Sequence, residues 1–129
     1  MTRLATVTVV VDDYDAAIAW YTTRLGFELA EDTPLGGGKR WVRVRAAGGG
    51  SELLLARAAN ERQGARVGDQ TGGRVFLFLE TDDFARDHAA LLSRGVRFVE
   101  EPRTEAYGRV AVFEDLCGNR WDLVEARST

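Results

Sequence analysis

Residues 7–11, VTVVV, are β-branched at every position, a composition that suits strands and is stiff in helices. The double acid Asp12-Asp13 follows. After it Ala17, Ile18, Tyr21 and Leu25 recur at helical spacing and share one face. Either acid can cap that helix, because a side-chain oxygen there meets unpaired backbone N–H groups at the positive end of the dipole. Gly26 can adopt the left-handed conformation that ends a helix, and a new strand-like run begins at Phe27.

The same order recurs later. VFLFLE is followed by Asp82-Asp83, by a helical pattern through Phe84, His88, Leu91 and Leu92, by Gly95, and by a strand-like run from Val96. The double acids lie 70 positions apart and the glycines 69. An offset of 70 also lays KRWVRVR (39–45) over RVAVFED (109–115), Gly48 over Gly118 and Glu52 over Asp122. The pattern predicts two modules of the order strand–helix–strand–strand–strand, about 4–57 and 74–126. A polar, glycine-rich linker, 58–73, joins them within a single domain, 1–129. Units this small cannot each bury a core, so the two must pack together.

Composition narrows the function classes. Apolar residues make up 45% and charged residues 29% of the chain, as in ordinary globular proteins. A net charge of −3, with arginines interleaved among acids, argues against nucleic acid as a partner. No apolar run approaches the roughly 20 residues needed to span a bilayer, so no membrane partner is expected. The N-terminal MTRLATVTVVVDD lacks the layout of a signal peptide. Cys117 is the only cysteine, which excludes an intrachain disulfide and thiolate metal clusters. A cytoplasmic location is the expectation. GGGKR (36–40) and GGG (48–50) do not join a strand to a helix with phosphate-loop spacing, so they read as hairpin turns.

The paired modules, the start Val11–Tyr21, the LGF at 25–27 and the closing FEDLCGNRWDLVE together resemble the vicinal oxygen chelate superfamily. That group holds glyoxalase I, extradiol dioxygenases and bleomycin-type antibiotic-binding resistance proteins. The resemblance covers residues 4–126. It implies an α+β fold in which two tandem βαβββ modules form a cup-shaped, half-open β-barrel with helices outside. It also implies a homodimer, with modules exchanged between chains in some members. In metal-using members four ligands line the cup, one from the first and one from the last strand of each module.

Carried onto this chain by the repeat, those positions are Thr6, Glu52, Phe76 and Asp122. The resemblance implies His at the first-strand positions and an acid at the last-strand positions. Both acids are kept and both histidines are lost, so the set is degenerate and no metal or other cofactor is expected. The single histidine, His88, sits mid-helix. Two carboxylates with water could still hold Mg²⁺ or Mn²⁺ weakly.

Strand alternation, counted from these positions, predicts which side chains share the cup. The expected ligand-binding set is Thr6, Thr8, Trp41, Arg43, Phe76, Phe78, Glu80 and Phe113, with Tyr107 at the rim. Arg43 is the expected partner of Glu52 or Asp122. The opposite parity, Val7, Val9, Val11, Leu53, Leu55, Leu77, Leu79 and Leu123, is aliphatic and suits a core beneath the helices. Apolar walls with a few convergent polar groups describe a small-molecule pocket, and aromatic faces suit flat ligands.

The expected function is therefore metal-independent binding and sequestration of an aromatic or hydrophobic small molecule of the natural-product antibiotic kind. The alternative is a metal-dependent lyase, isomerase or dioxygenase of the glyoxalase type, using Glu52 and Asp122. A metal-free enzyme with Glu52, Glu80 or Asp122 as base is a third reading, and Phe76 and Phe78 as core plugs of a filled cup a fourth.

Overall fold

The computed structural model describes residues 1–126. Its strands are β1 (Thr6–Val11), β2 (Glu28–Gly36), β3 (Lys39–Arg45), β4 (Glu52–Arg57), β5 (Leu77–Glu80), β6 (Arg97–Phe98), β7 (Arg103–Glu105), β8 (Gly108–Glu114) and β9 (Arg120–Ala126). Helix α1 (Tyr14–Ala19) follows β1 and runs on as a π-helical turn, Trp20–Arg24. Helix α2 (Glu61–Gly64) is a single turn in the linker, and α3 (Phe84–Ser93) follows β5.

Both predicted acid caps are present. Asp13 accepts from the Ala16 N–H at 2.7 Å, and Asp83 accepts from the Arg86 N–H at 3.1 Å. Gly26 and Gly95 then close the two helical segments at positive φ. The ends are reciprocal: the Arg24 guanidinium lies over Gly95 and that of Arg94 over Gly26, where a Cβ would collide. Arg24 also donates to the Arg94 carbonyl at 2.8 Å.

The first sheet has the order β1-β4-β3-β2 and the second β5-β9-β8-β6, with β7 also paired to β8. In each, the first strand runs parallel to the last and the others are antiparallel. The architecture is α+β, with two sheets that do not close into a full barrel. The second strand of module one is continuous, whereas its counterpart splits into β6 and β7 around Pro102. Proline supplies no N–H to a ladder. Pro34 is tolerated inside β2 because that strand lies at the sheet edge.

One apolar cluster draws on both modules. Val9, Val11, Val42, Val44, Leu53, Leu55 and Leu123 are buried in it, as strand alternation predicts, and Val7, Leu77 and Leu79 pack half-buried against it. Tyr21 is buried among them, with its ring edge-on to Trp20 and tilted against Phe27 and Trp121. Leu92 of α3 departs from expectation and is exposed.

The structure corrects Phe113. It is fully buried in the core cluster and stacks on Trp121 at 5.7 Å, on the helix side of its sheet. The reason is register. Val44 pairs with Leu53, and the corresponding pair is Ala111 with Leu123. The third strands are thus offset by 67 positions while the last strands are offset by 70. A slip of three is odd, so it turns over every side chain of β8. Val110 and Val112, not Ala111 and Phe113, share a face with Asp122.

Candidate functional site

The faces away from the helices carry the remaining predicted residues. In sheet one, Thr6 lies opposite Glu52 and Thr8 opposite Leu54 across the parallel ladder. Arg43 lies opposite Leu54 on the other side, and Trp41 follows two residues before it on β3. In sheet two, Phe78 lies opposite Asp122 and Glu80 opposite Val124.

The residue facing Asp122 is therefore Phe78. Phe76, expected there, precedes β5 by one residue and packs half-buried against the core cluster. Phe78 stands out from its sheet at 63% exposure, so it does not plug the site. Trp41 is 39% exposed and Tyr107, in the β7–β8 turn, 54%. Thr6 is half-buried; Thr8 and Glu80 are exposed.

Two cavities reach the exposed rings of these faces, and neither is lined by Arg43, Glu52 or Asp122. One, of about 590 Å³, follows the seam between the modules and is lined by Val7, Phe27, Leu53, Leu77 to Glu80, Trp121 and the loop 46–51. The other, of about 610 Å³, lies at the far end of sheet one, where Trp41, Leu54 and Ala56 meet Tyr14, Arg57 and Gln63. Both fall in the size range of small-molecule sites. They share no lining residue, so one chain presents the two aromatic rings Trp41 and Phe78 at separate places.

The two acids differ in environment. Glu52 is bound by Arg43 and has Arg45 at 3.9 Å. Arg43 also reaches Glu31 at 2.9 Å, and these carboxylates, Glu31 foremost, hold its guanidinium more firmly charged than usual. The same contact draws the Glu31 carboxyl below its ordinary value. Asp122 is only 4% exposed, and its Oδ1 has no hydrogen-bond partner among the described residues. Burial pushes its carboxyl up, with the charge of Arg103 pulling the other way. Arg43 is thus the partner of Glu52 and not of Asp122.

Arg103 shares the face of sheet two that carries Asp122, because it pairs with Val110, which lies beside Val124. Sequence reading missed it along with Val110 and Val112. Its side chain is held by Glu100 and by Glu105, the latter at 2.7 Å. The alternation of R-T-E before the Ala106–Tyr107 turn is the signal that could have found it.

The donor set does not fit the divalent metal of the superfamily's enzymes. Thr6 offers a hydroxyl, Phe78 no donor at all, and Glu52 is already spoken for by Arg43. Among the described residues no three of His, Cys, Asp and Glu cluster around a common point. His88 lies in α3, stacked on Phe84 at 5.3 Å and edge-on to Phe98 at 4.5 Å. Burial first, and then Arg109, lower its pKa. No helix of the described residues is long and apolar enough to cross a membrane.

Tandem βαβββ modules and paired last-strand acids define a class, and the family model for the Glyoxalase/Bleomycin resistance protein/Dioxygenase superfamily matches residues 3–123. The chain belongs to that superfamily. An uncharacterized protein of Shewanella frigidimarina (strain NCIMB 400) is 51% identical over 121 residues, covering 92% of this chain and 90% of that protein. Among solved structures, UcmS2 is 30% identical with a TM-score of 0.82, covering 96% of this chain and 98% of its own. TnmS3, an antibiotic binding protein from Streptomyces sp. CB03234, is also 30% identical, with a TM-score of 0.79 and 98% of both chains covered.

Proposed function

We propose that this protein binds and sequesters a flat aromatic or otherwise hydrophobic small molecule, of the natural-product antibiotic kind, without a metal and without turning it over. The observation that carries this reading is the pair of rings, Trp41 and Phe78, left exposed on the open faces of the two sheets. Large apolar side chains held in the open on rigid strands cost folding stability that burial would otherwise return. A flat ligand recovers that area by stacking. Likeness to an antibiotic binding protein over nearly the whole chain supports the same reading.

The cup is read as a joint product of two copies. Because Trp41 and Phe78 border different cavities in one chain, a twofold-related partner would set sheet one of each copy against sheet two of the other. Two such cups follow from one isologous dimer.

The test is a fluorescence titration with a panel of aromatic antibiotics. Wild-type protein shows saturable quenching, and Trp41→Ala and Phe78→Ala each weaken binding by roughly tenfold or more. Binding unchanged by both substitutions would remove the reading.

A further inference from the structure

Glu52 and Asp122 hold equivalent places, each in the last strand of its module and opposite a first-strand residue. Only Glu52 is neutralised, by Arg43. Asp122 lies between Phe78 and Val112 across its two ladders, and its Oδ1 is buried without a partner among the described residues. Arg103, the cation whose charge acts on Asp122, is committed to Glu100 and Glu105. A buried acceptor left open is rare in folded proteins and calls for a specific explanation. A buried carboxylate without a counter-charge is costlier still.

We infer that Asp122 is the specificity-determining group of the site: it accepts a hydrogen bond from a cationic or N–H-bearing aromatic ligand stacked on Phe78. This rests on the sequestration reading and narrows it to ligands carrying an amino or comparable donor group. Anionic ligands of the same ring area are disfavoured, because they would face a second negative charge in an apolar surround. Glu52 makes no such demand, since Arg43 already satisfies it.

The probes are proflavine, a three-ring cation with amino groups, and 9-anthracenecarboxylate, a three-ring anion, titrated against the full chain. Wild type binds proflavine at least roughly tenfold more tightly, the scale of one charge-assisted hydrogen bond. Asp122→Asn and Asp122→Val, each checked for cooperative unfolding, bring the two affinities to within about threefold. Glu61→Gln, which removes the same charge from the exposed linker helix, leaves the preference intact. If both probes bind but the preference is absent, or survives both Asp122 substitutions, the inference is overturned while sequestration stands. If neither probe binds wild type at all, the sequestration reading fails and takes the inference with it.

Discussion

The Tyr21 hydroxyl donates to Asp115 Oδ2 at 2.8 Å, a buried hydrogen bond between residues 94 positions apart. It joins the π-helical turn of module one to the β8–β9 turn of module two. Asp115 is heavily used: it accepts from the backbone N–H groups of Cys117, Gly118 and Asn119, from the Asn119 side chain and from Trp121 Nε1. Burial, then the Asp115 charge, push the Tyr21 phenol well above its ordinary value, so it stays a donor.

Tyr21→Phe is therefore expected to destabilise the fold by about 1–3 kcal/mol, since Asp115 loses one partner inside the core. Asp115→Ala costs more, because it strands several donors together. Urea unfolding of the two variants checks the order. A neutral Tyr21→Phe would mean that this hydrogen bond adds nothing to the joint between the modules.

Phe113 and Phe78 separate the core from the site. Phe113→Ala should cost about 3–5 kcal/mol, as expected for a buried aromatic. Phe78→Ala should stay within about 0.5 kcal/mol, because its ring is already exposed. Parallel denaturant titrations read both; equal losses would contradict the opposite facing of the two rings.

Asp122 links stability to pH. Its native pKa is raised by burial, against the pull of Arg103, whose own partners are Glu100 and Glu105. A raised native pKa means the contribution is fully present below the ordinary carboxylate pKa and is lost as pH rises through the raised one. Asp122→Asn removes that loss. The variant should be more stable than wild type at pH 7, with the gain vanishing toward a pH of about 4. Urea midpoints at both values test this, and a variant less stable at pH 7 would contradict it. Greater stability with poorer recognition is the usual trade at a binding site.

Mixing variants tests the shared cup. If each cup takes Trp41 from one chain and Phe78 from the other, a heterodimer of Trp41→Ala with Phe78→Ala has one doubly altered cup and one intact cup. Random re-association of the two weakened variants then restores wild-type affinity to about a quarter of the sites. A mixture that binds no better than its components would place each cup within a single chain.

Much of this was legible in the chain. The repeated double acids mark both helix caps because capping chemistry is local, and strand alternation separates Val9, Val11, Leu53 and Leu55 from Trp41, Arg43 and Glu52. Phe113 was misread because a repeat offset says nothing about turn length, and three further positions before Leu123 reverse the parity of β8. Phe76 gave way to Phe78 for the same kind of reason, a register between parallel strands. The pairing of Arg43 with Glu52 follows from two strands whose partnership the repeat suggests. The isolation of Asp122 does not, because it depends on Arg103 being held elsewhere.

The most direct measurement is a calorimetric titration of the protein, prepared without added metal and again after chelation, with the aromatic antibiotic panel, alongside a methylglyoxal–glutathione turnover assay. Saturable binding at roughly micromolar strength, unchanged by chelator and without turnover, is the predicted result. Turnover abolished by chelator, or no saturable binding by any member of the panel, would contradict sequestration on the open faces of these two sheets.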